Sequence, residues 1–153
     1  MNRVIVHFGF TGTERGMTGL QSLALVNLFH EHRYVIRNKS AHAIIYLHHG
    51  VCIGADAEAH GIAREADMRR WLHPPVDVSR LARVKLLEDD RCELALPYLE
   101  RNHKIVDACT TLFAAPRELH EIVRSGTWAT IRYARKKKRR IIIVWPNGNV
   151  SEE

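Results

Sequence analysis

The amino-acid sequence predicts an α/β fold of Rossmann-like type: one domain over residues 1–153, with a mainly parallel sheet of about five strands flanked by helices. Three observations predict it. Strand-like and helix-like stretches alternate along the chain, an order that favours right-handed βαβ crossovers. The strand stretches hold few polar residues, as strands covered on both faces do. Turns rich in glycine or small residues follow the strands, at the edge where open parallel sheets take ligands.

Each element has its own signal. Arg3 to Phe8 alternates, is β-branched and meets Gly9, which predicts a strand ending in a turn. Thr18 with Gln21 three residues later has capping-box spacing, and Leu20, Leu23, Ala24 and Leu28 then recur at helical intervals to about Phe29. Ala43 to His48 is a second strand, and Asp56 to Ala66 a short helix. Met68 to Leu72 is a third strand, stopped by His73-Pro74-Pro75. Residues 73–97 read as an irregular insertion, with a helical turn around Leu81 to Leu87. Leu99 to Ala108 is a helix, Thr110 to Ala114 a fourth strand before Pro116, Gly126 to Lys137 a helix, and Ile141 to Trp145 a fifth strand before Pro146-Asn147-Gly148.

Composition narrows the class. With 46% hydrophobic and 26% charged residues the chain is globular rather than disordered. No apolar stretch reaches the roughly 18 to 20 residues of a membrane span, so no membrane partner is expected. Met1 to Val6 runs straight into strand-like sequence and lacks the pattern of a secretory signal. Cys52, Cys92 and Cys109 are odd in number, far apart and without a C-x-x-C pair. They read as small core residues in a reducing, cytoplasmic protein. The net charge of +6 is local: Arg135-Lys136-Lys137-Lys138-Arg139-Arg140 supplies six positive charges, and the other 17 basic residues match 17 acidic ones. That run predicts at most a salt-dependent contact with nucleic-acid phosphates, and aromatic residues for base stacking are sparse at 7%.

The candidate ligand residues lie after the strands. Gly9-Phe10-Thr11-Gly12-Thr13, with Arg15 and Gly16 beyond, offers a flexible backbone, hydroxyls and a following helix N-terminus. It matches neither G-x-G-x-x-G nor a P-loop. Gly54-Ala55-Asp56 opens the next helix, where Asp56 is equally read as an N-cap and shares a helix face with His60. Arg124-Ser125-Gly126-Thr127 opens the last helix as an anion cradle or as a plain Ser cap. Arg101-Asn102 begins another helix, aimed at the loop end of the sheet. A metal site from Asp56, Glu58, His60 and His48 or His49 can be drawn, but Glu58 points to another face and no H-E-x-x-H spacing occurs, so no metal and no resident cofactor are expected.

Taken in order, Gly9–Thr13, Gly54-Ala55-Asp56 with His60, Arg101-Asn102 with Asp107, and Ser125-Gly126-Thr127 resemble the SLOG superfamily, which joins the DNA-processing protein DprA to the Lonely Guy cytokinin-activating hydrolases. The resemblance spans nearly the whole chain. It implies a Rossmann-like sheet and a nucleotide-type ligand: phosphate or ribose at Gly9–Thr13 and Ser125–Thr127, a pocket shaped by Gly54–Asp56, and Arg101 and Asn102 facing it. It also implies self-association as a homodimer. One departure matters. The hydrolase branch carries G-G-x-G-T-x-x-E, whereas here Thr130 stands where the glutamate falls, and Val123-Arg124 replace the double glycine. The expectation is therefore a sensor or sequestering module for a nucleoside monophosphate or an ADP-ribose/NAD-type ligand. The alternatives are N-glycosidic hydrolysis, with Asp56 or Glu118 as the acid or base, and DprA-like nucleic-acid binding.

Overall fold

In a computed structural model, which describes residues 3–153, the β-branched stretches form one seven-stranded sheet. In chain order the elements are β1 (Ile5–Gly12), α1 (Gly19–Lys39), β2 (Ile44–His49), α2 (Ala55–Glu65), β3 (Arg69–Leu72), β4 (Arg91–Cys92), α3 (Tyr98–Ala108), β5 (Thr111–Ala115), α4 (Gly126–Lys136), β6 (Arg140–Val144) and β7 (Val150–Glu152). The spatial order is β4-β3-β2-β1-β5-β6-β7. All neighbours are parallel except β6 and β7. The chain steps outward from β1 through β4, then returns to the other side of β1 with β5. The winding thus reverses between β1 and β5, which creates a crevice beyond their carboxyl ends.

The two faces of the sheet bury separate cores. Phe8, Phe10, Ile45, Leu47 and Phe113 pack under Leu25 and Phe29 of α1 and the alanines of α2. Leu112, Ala114, Ile141 and Ile143 pack under α3 and α4, with Val106, Trp128 and Ile131. Successive strand side chains alternate between these cores, as the period-2 pleat requires.

Several boundaries differ from the sequence expectation. The first strand does not end at Gly9 but runs on to Gly12. Gly9 sits inside it because a Cβ there would lie 2.8 Å from Cys109 Sγ and 3.2 Å from Ile105. The buried face of α1 is Gln21, Leu25 and Phe29, while Leu20 and Leu23 are exposed. The capping box of Thr18 and Gln21 forms as expected. The Gln21 amide also donates to the carbonyls of Pro116 at 2.8 Å and Val144 at 2.9 Å. Satisfying those two buried acceptors turns Gln21 inward, and residues four and eight positions on follow it. Of the cysteines only Cys109 is a core residue; Cys52 is half-buried and Cys92 exposed.

The segment 73–97 is more ordered than its sequence suggested. It holds a single 3-10 turn at Val78–Arg80, in place of a turn at 81–87, and β4 on the sheet edge. Backbone bonds Ile53 N to Arg80 O and Ala82 N to Val51 O lay it over the start of α2. One carboxylate anchors it. Asp90 accepts Arg70 N at 3.1 Å, Arg70 Nη2 at 2.8 Å and Leu87 N at 2.8 Å, with both charged side chains almost wholly buried. Sequence periodicity cannot register such a tie, which joins residues 20 apart.

Five of the ten histidines gather into two hydrogen-bonded groups. His7 Nδ1 meets His48 Nε2 at 2.9 Å, and His48 Nδ1 meets His73 Nε2 at 2.8 Å. His49 Nε2 meets His60 Nδ1 at 2.8 Å, and His60 Nε2 reaches Lys85 O. Burial, reinforced by the neighbouring rings, pushes His48 down to about 3; burial likewise pushes His73 down to about 4 and His49 well below its ordinary value.

Two outcomes are expected. Replacing Asp90 with Ala leaves a buried guanidinium uncompensated and should cost about 3–5 kcal/mol in denaturant unfolding; a loss below about 1 kcal/mol would contradict the anchoring role. Second, the unfolded chain binds protons below pH 6.5 that the buried rings refuse, so stability is complete above that pH and falls as the pH drops through the window toward 4 and 3. The contribution is on the order of 2 kcal/mol for a ring such as His48 at pH 5. Asp56, raised to about 6 from 3.8, has the opposite sign but is one group against three. Thermal unfolding should therefore occur at a lower temperature at pH 5 than at pH 7.5. A flat or rising profile on acidification excludes this account.

Candidate functional site

The parallel register pairs Gly12 of β1 with Ala115 of β5, and one further bond, Thr13 N to Ala115 O at 3.1 Å, carries the pairing past the strand ends. Beyond that point opens a cleft of about 440 Å³. Its walls are residues 10–15 at the end of β1 and just beyond it, Gly50, Cys52 and Asp56 after β2, Arg80 of the 3-10 turn, Tyr98, Arg101, Asn102 and Ile105 of α3, and Arg117, Glu118, Ile122 and residues 124–127 from the β5–α4 connection and the first turn of α4. Among the candidates named from sequence, Phe10, Thr11, Gly12, Thr13, Arg15, Asp56, Arg101, Asn102, Glu118, Arg124, Ser125, Gly126 and Thr127 all line this one cleft. The two distant stretches 9–13 and 125–127 lie at the same end of the sheet.

Three candidates stand behind the wall instead. Gly9 is spent on packing against α3 and β5. Ala55 is fully buried, and a Cβ on Gly12 would come within 2.6 Å of its own Cβ, so this pair keeps the β1 loop and α2 in close contact. Gly54, at φ 84°, caps α2, and a side chain there would run into the Glu14 carbonyl. These residues shape the cleft by being small.

The two glycine loops play unequal parts. The amide of Thr13 is consumed by Ala115 O, and that of Ala55 by Thr13 O at 2.9 Å. α1 begins only at Gly19, behind its own capping box, with Thr18 Oγ1 donating to Pro146 O. The first loop therefore offers the cleft hydroxyls and a close wall, not the helix N-terminus expected from sequence. At α4 the expectation fits better. Ser125 Oγ accepts Trp128 N at 3.2 Å as N-cap, while the amides of Gly126 and Thr127 meet no acceptor among the described residues. They carry the positive end of the helix dipole. Thr130, where the hydrolase pattern has its acid, is buried and donates back to Gly126 O at 2.9 Å.

Five arginines and three carboxylates line the cleft. Arg80 pairs with Glu14 at 2.6 Å. Glu118 Oε1 accepts the Trp128 indole N–H at 3.1 Å. Among the described residues, Arg15, Arg117 and Arg124 pair with no carboxylate within 4 Å. Arg101 is 4% exposed. Its Nη1 donates to Gly50 O and, at 3.1 Å, to His73 O; its Nε donates to Asn102 Oδ1 at 2.8 Å; its plane lies 5.2 Å from the Tyr98 ring centroid.

Asp56 is not the N-cap of α2; Gly54 holds that position without a side-chain cap. The left-handed turn at Gly54 carries Asp56 back under the preceding loop, where Oδ2 accepts Gly50 N at 3.1 Å and Cys52 N at 3.2 Å. Burial raises its pKa to about 6, against the opposing pull of those two N–H groups and Arg101. His60, four residues on, turns to His49 and Lys85 rather than to Asp56. Among the described residues no three His, Cys, Asp or Glu side chains cluster as a metal site.

Sequence reasoning missed Gly50, Cys52, Arg80, Tyr98 and Arg117. Gly50 and Arg117 stand within two residues of strand ends, a signal that could have found them; Arg80 and Tyr98 arrive through the insertion and carry no such mark. The basic run lies at the opposite end of the sheet, at the start of β6. Arg135 pairs with Glu121 and Glu153, Arg140 pairs with Glu152, and Arg139 donates to Val106 O and Asp107 O. Half of the expected phosphate-binding charge is thereby held internally. No helix among the described residues is long and apolar enough to cross a membrane.

No family model and no curated protein matches this chain. Among solved structures, it is similar to the molybdenum cofactor binding protein from Rippkaea orientalis, with a TM-score of 0.61 and 16% identity over 95% of this chain and 78% of that one. It is similar to TM1055, a structural genomics target, with a TM-score of 0.56 and 12% identity over 89% of this chain and 72% of that one. It is also similar to DprA from Streptococcus pneumoniae, with a TM-score of 0.62 and 14% identity; the match covers 91% of this chain but half of DprA. At these identities the likeness is one of fold. The chain shares with these structures a Rossmann-like α/β fold.

Proposed function

We propose that the chain binds a nucleotide or nucleotide-derived ligand, of nucleoside monophosphate or ADP-ribose/NAD type, in the cleft between β1 and β5, as a sensor or sequestering module. One observation carries this reading: the unpartnered amides of Gly126 and Thr127 open onto the same cleft as Arg15, Arg117 and Arg124, three arginines without a carboxylate partner among the described residues. Free N–H groups at a helix start, with the dipole behind them and mobile cations beside them, suit a phosphate. Tyr98 and Ile122, both partly exposed, add apolar and aromatic surface for a ribose or base. The size of the cleft, about 440 Å³, is in the range of small-ligand sites. One fold neighbour is described as binding a cofactor and another as processing DNA, which fits a fold used to hold nucleotide-like molecules.

A second reading, cleavage of an N-glycosidic bond, is favoured by the Asp56 carboxyl, raised to about 6 and therefore able to exchange a proton near neutral pH. Glu118 is the second carboxylate on the cleft.

Ligand binding is tested by thermal unfolding with nucleoside monophosphates, ADP-ribose and NAD. A ligand that binds only the folded state should raise Tm progressively with its concentration; no rise with any of them rejects the reading. The double substitution of Arg117 and Arg124 to Ala should weaken binding about 10- to 100-fold by removing charge-assisted contacts, with stability altered by less than about 0.5 kcal/mol because both side chains are exposed. Calorimetric titration reads the first quantity and chemical unfolding the second. Chromatography for free base after incubation with the same compounds tests the hydrolytic reading, which fails if none is released.

A further inference from the structure

Two charged side chains on the cleft are deeply buried, Asp56 at 6% and Arg101 at 4% exposure, and each retains hydrogen-bonding capacity. Asp56 Oδ2 is saturated by the amides of Gly50 and Cys52. Asp56 Oδ1 accepts from no group among the described residues. It is also not one of the sealed, unpartnered polar atoms of the interior, which are Nε of Arg33, Arg37 and Arg70, so it remains in contact with the open cleft. On Arg101, Nη1 and Nε are committed to carbonyl and amide oxygens, while Nη2 meets only the weak acceptor Cys52 Sγ, at 3.7 Å. The two groups converge on Gly50: a Cβ there would collide with the Arg101 guanidinium and lie 3.0 Å from Asp56 Oδ2. An anchored acceptor and an anchored donor thus stand side by side at the end of β2.

The placement indicates which part of a ligand they would meet. β2 and β5 flank β1, so their ends are two strand spacings apart, roughly 10 Å. A phosphate seated at the start of α4 would have its sugar within that span and its base edge beyond it. A hydroxyl is the group that both donates and accepts through one atom. A carboxylate at the end of the strand beside β1 is also where dinucleotide-binding sheets take ribose hydroxyls.

We infer that Asp56 is the sugar-reading residue of the cleft: Oδ1 accepts a hydrogen bond from a ribose hydroxyl of the ligand, and Arg101 acts as the positioning residue that donates to the same oxygen, so the cleft selects ribonucleotides over deoxyribonucleotides. This rests on the nucleotide-binding reading given above. Two features reinforce it. The carboxylate is held from behind by backbone amides, so Oδ1 loses little freedom when it binds. A deoxy ligand would leave a buried charged acceptor unpaired, the situation in which polar sites discriminate most strongly.

The test measures affinities of the four ribonucleoside 5′-monophosphates, ADP-ribose and NAD, and then of the 2′-deoxy and 3′-deoxy counterparts of those that bind, on the wild-type chain and on Asp56→Asn. The wild type should bind a ribose form about 10- to 100-fold more tightly than at least one deoxy form. In Asp56→Asn, where the amide oxygen can still accept from Gly50 and Cys52 but an NH₂ replaces Oδ1, that preference should collapse to within about threefold. Equal affinity of the wild type for the ribose, 2′-deoxy and 3′-deoxy forms overturns the inference while leaving nucleotide binding intact, and it needs no variant to fold. A preference retained in full by Asp56→Asn assigns the selection elsewhere and overturns it as well. Binding of none of these compounds removes the nucleotide reading itself, and this inference with it.

Discussion

The buried guanidinium of Arg101 ties three pieces of chain together at one point. From α3 it donates to the carbonyl of Gly50, after β2, and to that of His73, after β3, and it lies against Cys52 and the ring of Tyr98. Strands of a parallel sheet end in carbonyls whose partners are exhausted, and a buried carbonyl without a donor is costly. A planar guanidinium with several fixed donors satisfies two such ends at once, which a lysine could not do. The same contacts set one wall of the cleft and leave Gly50 no room for a side chain. The satisfaction of these strand ends and the shape of the site therefore share one side chain.

Around that anchor the cleft divides its chemistry. Its α4 side offers free amides and exposed arginines, which suit a diffuse anion. Its β2 side offers an acceptor and a donor buried and braced from behind. The first can draw in many phosphorylated molecules, since charge acts over distance and with little geometric demand. In the proposed nucleotide-binding reading the second discriminates, because an unpaired buried polar atom is penalised in a way an exposed one is not. In the same reading, affinity and selectivity fall to opposite walls, because the winding reverses between β1 and β5 and the crevice draws on loops from both halves of the sheet.

The interior also carries an uncommon load of imidazole. His7, His48 and His73 cross three adjacent strands, and His48 stacks on Trp71 at 5.0 Å. Neutral rings bonded to one another can be buried in pairs because each supplies the partner the other needs, one nitrogen donating and one accepting. His73 also lends its carbonyl to Arg101, so this chain ends at the structure that forms the cleft.

Much of this was legible in the linear chain. Alternation of β-branched and amphipathic stretches is a local property, and so the five sequence-read strands and three of the four helices fall within a few residues of their places, whereas α1 runs ten residues past Phe29, to Lys39. The order of small-residue turns likewise announced the loops that meet at the cleft, Gly12 and Gly126 among them. What remained hidden involved partners distant in sequence. The inward turn of Gln21 depends on carbonyls some 95 and 123 positions away. The short β4 exists because Asp90 finds Arg70, and two residues carry no periodicity. Asp56 looked like a helix cap because capping is a local rule, yet the left-handed turn at Gly54 returned its carboxylate to Gly50 and Cys52. The sequence by itself determined which stretches form strands and helices, since those choices follow from neighbours a few residues apart. Only the tertiary structure decided which polar groups are left over once strand ends, carbonyls and charges have been matched across the sheet, and those leftover groups define what the cleft can bind.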